Sequence, residues 1–333
     1  MTAFSDYEVS NASALIREPV VSVLMLAYNH APYLAQAIDG VLAQRADISL
    51  ELLIAEDYST DETRKIAFRY QEKYPEVIRI ITSDTNVGAN RNHRRILLAA
   101  RGIFCAYLDG DDYWLPGKLA TQVSFLRENA DCTAVFTNAL TVDRDNNRIG
   151  LFNDVGDSRF DLGAILRLGN FLNNSSILYR TELRVSLLEV DEPAIDFRGH
   201  LRLARAGLLA HIGQPLVAYR VSAVGSMILS SNDEVRKLYW EAIMDVPRDI
   251  IADKDFARGV ANFLRRVVLR SIRTRRWSLF REWAPKVFAA SPYGRFRTSL
   301  LTVGSIFRIT AKELMGRFRK GPDGHRLKVL YRR

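Results

Sequence analysis

Cysteine is nearly absent from this chain. Two thiols, Cys105 and Cys132, occur in 333 residues. That is too few for a disulfide framework, and each falls in an apolar run that reads as a buried strand. Both are expected to be reduced core thiols. Long apolar runs are also missing, since no window reaches the ~18 uninterrupted apolar residues of a membrane span. Residues 1–19 lack the basic start and apolar stretch of a signal peptide. The expected location is therefore cytoplasmic. Acidic residues are scarce at one end only. From Arg258 to Arg333 there are 20 Lys/Arg and 3 Asp/Glu, a balance of +17; the preceding 257 residues carry 27 and 35, a balance of −8. The tail is expected to seek an anionic surface. No segment resembles a nucleic-acid-binding module, and the acids of the front half would repel phosphate chains, so nucleic acid is excluded as a partner. No repeat or low-complexity segment occurs.

What is present is a strand–helix alternation. Val20 to Ala27 is an apolar run rich in β-branched residues, with Ser22 its one polar member, and suits a strand buried on both faces. Leu50–Ala55, Val77–Ile81, Ile103–Leu108 and Thr133–Thr137 repeat the pattern. Between them, helical spacing predicts helices over Tyr33–Ala43, from a Ser59 or Thr60 cap towards Tyr74, over Ala89–Ala100 and over Pro116–Asn129. Such alternation predicts an α/β fold with a mostly parallel central sheet flanked by helices. Further on, Asp143–Asn147 reads as a hairpin turn, Asp161–Leu168 as a short helix and Ser175–Tyr179 as a strand. Phe197–Ala206 reads as a helix and Leu208–Tyr219 as a strand or hairpin. Beyond Asn232 the chain turns helical.

Ligands in parallel sheets bind at the carboxyl ends of strands. Four polar clusters fall there: Tyr28-Asn29-His30, Glu56-Asp57-Tyr58-Ser59, Asp84 to Gly88, and Asp109-Gly110-Asp111-Asp112. Three carboxylates within four residues repel one another unless a cation or hydrogen-bond donors compensate. Hard oxygen ligands suit Mg²⁺ or Mn²⁺, which bind a few carboxylates together with substrate phosphates. Glycine between them lets the backbone approach a ligand closely. Asp57 can accept the imino N–H of a pyrimidine or hold a ribose hydroxyl. Asn86, Gly88 and Arg91 form a third polar end, from which the Arg91 guanidinium could face a diphosphate.

The segments VSVLMLAYN, LLIAEDYSTDET, NVGANRN and ARGIFCAYLDGDDYWLPGKLATQ, in this order over residues 20–137, resemble the large inverting glycosyltransferase family 2, which has the GT-A fold. The resemblance implies that Ala27, Tyr28 and Asn29 wrap the nucleobase and ribose. Glu56 would occupy a common acidic position, and Asp57 would read the base, uracil suiting it as well as thymine. Asp109 and Gly110 would lie near the ribose and diphosphate. Asp111 would bind the metal, with Asp112 an extra carboxylate and Trp114 an aromatic often found after the motif. Ile195 to Ala204 is similar, more faintly, to a family stretch that puts the catalytic base at Asp196, although Ile195 stands where an acid is usual. A helix cap is the plain alternative for Asp196, and His200 is a competing titratable group. Tyr219 to Ser226 resembles the segment that closes over the diphosphate, making Arg220 and Ser226 phosphate contacts; Ser222 replaces a frequent histidine that helps hold the metal.

These readings imply three parts: an N-terminal extension (1–19), a catalytic domain (20–230, with a nucleotide-sugar half at 20–138 and an acceptor half at 139–230), and a basic helical region (231–333). The expected activity is transfer from a nucleotide-sugar, UDP-linked for preference, to a glycan or lipid-linked glycan acceptor with inversion, in surface polysaccharide synthesis. In the tail, arginines mix with Val267, Leu269, Ile272, Trp277, Phe280 and Trp283, and the mix recurs over Phe296–Phe307 and Leu314–Phe318. This suits amphipathic helices on the anionic inner face of the cell membrane, or a helical cap on the catalytic domain. A nucleotidyltransferase would show a Gly-rich basic loop after the first strand, which AYNHAPY lacks. A non-catalytic nucleotide-sugar-binding or membrane-associated scaffold protein would not require the set Asp57, Asp109, Asp111 and Asp196.

Overall fold

The computed structural model describes residues 6–46, 48–188, 195–221, 232–316 and 328–331. The apolar runs form parallel neighbours β2 (Val21–Ala27), β3 (Leu50–Glu56), β4 (Ile78–Ser83) and β5 (Phe104–Asp109), and the N-terminal β1 (Asp6–Val9) pairs antiparallel with β4. Strand side chains alternate between faces. Val21, Val23 and Met25 therefore pack with Ile38 of α1 (Leu34–Leu42) and Val123 of α4 (Lys118–Glu128). Leu24 packs on the other face with Ile96 of α3 (Ala89–Ala99) and Phe197 of α7 (Asp196–Ala206). Helix α2 (Thr63–Lys73) starts later than expected. Neither Ser59 nor Thr60 caps it; Asp61 accepts the Thr63 amide at 2.9 Å.

The sheet continues past β5 through β10 (Leu178–Arg180), β7 (Cys132–Val142) and β11 (Leu208–Arg220) to β6 (Tyr113–Trp114). The segment from Leu208 is one strand rather than a hairpin. Register shifts on either side of Pro215 absorb a residue that has no N–H to give the ladder. β7 and β8 (Arg148–Asn153) form the hairpin expected around Asp143–Asn147, and β9 (Ser158–Phe160) pairs with β11. The strand expected from Ser175 instead opens with a 3₁₀ turn, Asn174–Ser176. Cys105 and Cys132 are free and buried in strands.

The helical tail joins the core. Helices α5 (Leu162–Leu168), α8 (Asn232–Met244), α9 (Asp253–Thr274) and α10 (Trp277–Ala290) cover the Leu24 face, with Ile165, Ile243, Phe263 and Trp283 in one cluster with it. Val267 and Trp283, read from sequence as membrane-facing, are thus core residues. A last helix, α11 (Gly294–Gly316), follows, and the region is not wholly helical: β12 (Lys328–Tyr331) pairs with β8. Among the described residues no helix is long and apolar enough to cross a membrane. In this order of strands, β2 lies between β3 on one side and β5 on the other. The chain winds outward in both directions from β2, so the switch point, where open α/β sheets form their ligand-binding crevice, lies beyond the carboxyl ends of β2 and β5.

Candidate active site

The first wall of the crevice is made by the loops after β2 and β3. The Asp57 amide donates to the Ala27 carbonyl (3.1 Å), and Asn29 accepts from the Thr60 amide (2.9 Å), tying the two loops together. Asn29 and Tyr58 both take the left-handed backbone region, with φ of 55° and 57°. Asparagine tolerates that region; a tyrosine there is strained, and such strain gathers at binding sites. Tyr28 and Tyr58 leave their rings exposed beside this wall. Asp57 is buried, its two carboxylate oxygens accepting the Val87 (2.8 Å) and Gly88 (3.0 Å) amides, while the Asn86 side chain donates to its carbonyl (3.0 Å). Gly88, at φ 83°, supplies the turn that aims both amides. The structure therefore brings Asp57, Asn86 and Gly88 together. Each Asp57 oxygen has a second lone pair for a ligand.

Glu56 requires a correction. Its fully buried carboxylate accepts from the Ser59 amide (2.6 Å), Arg64 (2.7 Å) and Thr82 (2.8 Å). Burial works to raise its pKa, but these donors hold it below the usual value. It braces the loop that carries Asp57 and does not face the crevice.

The second wall is the acidic turn after β5. Gly110 donates its amide to the Leu26 carbonyl (2.9 Å), and a β-carbon there would stand 2.8 Å from that oxygen and 2.7 Å from the His30 ring. Only glycine lets the turn sit down on β2. Asp109 accepts from the Tyr107 hydroxyl (2.6 Å). Burial first, then the Asp111 charge, pushes Asp109 up to about 6. Burial also raises Asp111, against the nearby Arg220 charge. Asp112 lies beneath the turn, accepting from the Ser175 hydroxyl (2.5 Å) and the Arg220 amide (2.8 Å). Burial and the Asp111 and Asp109 charges hold it well above the carboxylate range. With both oxygens bonded inward and 2% of its surface exposed, Asp112 anchors the turn and is not presented as a metal ligand.

Two arginines also differ from expectation. The five N–H donors of the Arg220 guanidinium meet the carbonyls of Asp111, Asp143 and Arg144 and the side-chain oxygens of Gln36 and Asn146. The ion also stacks over Tyr33, 4.2 Å from the ring centre. No donor is left for a phosphate, so Arg220 is a knot joining β11, the acidic turn, α1 and the β7–β8 hairpin. Arg220→Met should leave several buried acceptors unpaired and cost about 3 kcal/mol or more in urea unfolding. Arg220→Lys should rescue little, because an ammonium lacks the planar fork. Arg91 pairs with Asp6 of β1 at 3.4 Å. It stands towards the β1–β4 edge, and strand spacing of ~4.8 Å puts β4 three strands, or ~14 Å, from β5. That is the wrong side of the crevice for the diphosphate end. Trp114 is buried and donates to the Ser175 carbonyl (2.9 Å), a structural role.

Asp196 is the first residue of α7 and does not cap it: Ile195 holds the N-cap position without a side-chain bond. Its side chain is open to solvent at the crevice, yet the surrounding protein, and next the Asp109 charge, push it up to about 7. Tyr107 reports the convergence. Burial, then the charges of Asp109, Asp196 and Asp111, raise its phenol well above the usual range. Helix α7 thus delivers Asp196 to the acids after β5 from a point 87 residues along the chain. His200, one helical turn on, is buried edge-on against Phe136 at 4.8 Å with its ring Nε2 3.3 Å from the Asn174 side-chain oxygen, and burial pushes it down to about 3. It packs the core. Ser222 and Ser226 lie outside the described residues.

Sequence reasoning missed Ser175 and Tyr107, and it placed Tyr58 and His30 at polar strand ends without giving either a role; His30 is half-buried, and its enclosed Nδ1 has no hydrogen-bond partner among the described residues. The polar run Asn173-Asn174-Ser175-Ser176 before an apolar strand was the only signal for Ser175. Among the described residues no three His, Cys, Asp or Glu side chains assemble a metal cage. Asp109 and Asp111, raised by burial in spite of the Tyr107 hydroxyl and the Arg220 charge, nevertheless fit a hard divalent cation that takes its remaining ligands from diphosphate and water.

A mostly parallel sheet with flanking helices and a crevice at the switch between β2 and β5 defines a GT-A type glycosyltransferase fold. A crystal structure of S. aureus TarS 1–349 in complex with UDP-GlcNAc matches it with a TM-score of 0.64 at 19% identity, covering 84% of this chain and 83% of that one. Residues 22–181 match the family model described as Glycosyl transferase family 2. The chain is 29% identical over 328 residues to an uncharacterized protein of Mycobacterium tuberculosis, Rv1520, covering 91% of this chain and 94% of that protein. It is 29% identical over 238 residues to TuaG of Bacillus subtilis, named as a candidate glycosyltransferase of teichuronic acid biosynthesis, covering 69% of this chain and 90% of that protein.

Proposed function

We propose that this chain transfers a sugar from a nucleoside-diphosphate sugar to an acceptor hydroxyl with inversion at the anomeric carbon. The observation that carries the proposal is the convergence of Asp196 with Asp109 and Asp111 at one crevice. One carboxylate, set apart on its own helix, is pushed up to about 7, where a general base works well near neutral pH. In this reading the base lies against Asp57 and the exposed Tyr28 and Tyr58 rings, with UDP preferred because uracil presents an imino N–H. Asp109 and Asp111 hold the diphosphate end together with Mn²⁺ or Mg²⁺, which supplies charge neutralisation of the leaving group. Asp196 takes the proton of the acceptor hydroxyl as that oxygen attacks from the face opposite the leaving group. A single displacement with one base and no protein nucleophile inverts the centre.

The names of TuaG and TarS's ligand favour a surface polysaccharide acceptor and a UDP-sugar donor, and the proposal extends to a glycan or lipid-linked glycan acceptor. The test is a thermal-shift screen of nucleotide-sugars with and without Mn²⁺, followed by chromatographic detection of released nucleotide and the anomeric configuration of the product. Stabilisation by a UDP-sugar that depends on metal, with inverted product, is the expected result. Retained configuration, or no donor that stabilises or turns over, would remove the proposal.

A further inference from the structure

Helix α11 is amphipathic in the inverted sense. On its packed side, laid against α9 and α10, the fully buried residues are polar, Thr298 and Thr302, with Leu301 and Ile309 half-buried beside them, and Thr298 donates to Ser291 at 2.6 Å. Its outward face is apolar. Phe296, Leu300, Val303 and Phe307 are 78%, 57%, 48% and 72% exposed. Spacings of four, three and four residues put them on a single stripe. A soluble helix places these two kinds of residue the other way round. Four large apolar side chains on one exposed stripe mark a surface made for contact.

Charge selects the partner. Arg295, Arg297 and Arg308 of the same helix are exposed, as are Arg273 and Arg275 at the end of α9. The chain from Arg258 onward has a balance of +17. A second copy of the chain would bring two such surfaces together and repel. A bilayer carrying anionic headgroups accepts both the stripe and its arginines. We infer that the Phe296–Phe307 stripe of α11 inserts into the interfacial region of an anionic membrane, while the arginines around it bind the headgroups. The helix lies on the surface and does not span. This surface stands apart from the crevice and does not rest on the glycosyltransferase reading, although it would bring a lipid-linked acceptor within reach.

The experiment is flotation of the full chain with vesicles of phosphatidylcholine alone or with phosphatidylglycerol added. Wild-type protein should float with the anionic vesicles and stay at the bottom with the neutral ones, and raised salt should weaken its binding. The variant Phe296→Ser/Phe307→Ser removes only exposed side chains, so its melting temperature should match wild type while anionic binding falls at least about tenfold. A milder Leu300→Gln variant should show an intermediate loss. Equal flotation of wild type and the folded double variant would overturn the insertion. So would equal binding to both vesicle types, or a dimer by light scattering that the double variant dissociates. Donor binding measured without vesicles is read separately, so failure of one proposal leaves the other standing.

Discussion

Asp196→Asn should lower kcat by about 10²- to 10⁴-fold, the range of general-base assistance, or about 3 to 5 kcal/mol of barrier. Donor affinity should be nearly unchanged, because the substitution keeps the shape of the side chain and the acceptor, not the donor, gives up the proton. Single-turnover kinetics alongside equilibrium donor binding separates the two effects. The pH profile adds an independent readout. Asp196 must be ionised to accept a proton, and the protein around it together with Asp109 pushes it up to about 7. The wild-type rate should therefore climb as pH rises through about 7 and then level. A bound cation would move that limb downward by offsetting the Asp109 charge. The Asn variant should lose the limb. Unchanged turnover, or a limb that survives the substitution, would remove Asp196 as the base.

The second large effect is expected at Asp111→Ala: the loss of metal-dependent donor binding. A donor at about a hundredfold over its Kd stabilises the fold by about 2.7 kcal/mol. At roughly 2 to 4 °C per kcal/mol for a domain of ~200 residues, this is a shift of several degrees, and it should vanish in the variant. The unliganded protein should change in the opposite direction. A carboxyl whose folded pKa is raised contributes stability that is present below its unfolded value, near ~4, and lost as pH rises through the folded one. Asp109 is pushed up to about 6, in part by Asp111, and Asp112 is raised by the same charge. Removing Asp111 should therefore make the apo protein more stable than wild type at pH 8 and close to it at pH 4. Melting curves at both values, with and without Mn²⁺, test the pair of effects together. A variant that kept the metal-dependent donor shift would move the metal away from Asp111.

The strand-end positions were legible because they follow from periodicity. Val21–Ala27, Leu50–Glu56, Ile78–Ser83 and Phe104–Asp109 are dominated by apolar residues, and a run buried on both faces needs no tertiary information to be read as a central strand. Asp57, Asn86, Gly88 and the Asp109–Asp112 turn then fall at carboxyl ends by connectivity alone. Partner choice was not legible. Glu56 and Asp57 are adjacent acids of similar chemistry, but strand alternation turns the first inward to Arg64 and Thr82 and the second towards the Val87 and Gly88 amides. Arg220 and Arg91 have the same side chain as any phosphate-binding arginine. Only the meeting of β11 with the β7–β8 hairpin saturates one, and only the docking of β1 on β4 engages the other.

The tail divides in the same way. Its sequence mixes arginine with aromatic residues throughout, yet Val267 and Trp283 are core while Phe296 and Phe307 face outward. Composition carries no phase; the phase is set by which side of each helix meets the sheet. By itself, then, the sequence determined the α/β class, the order of the strand ends and the acidic turn, because these depend on local periodicity and chain order. The tertiary structure decided which acids face the crevice, that Asp196 reaches Asp109 from a remote helix, and which face of α11 is left uncovered. Those outcomes depend on long-range packing, in which the same residue type is buried, paired or exposed according to what the rest of the chain places against it.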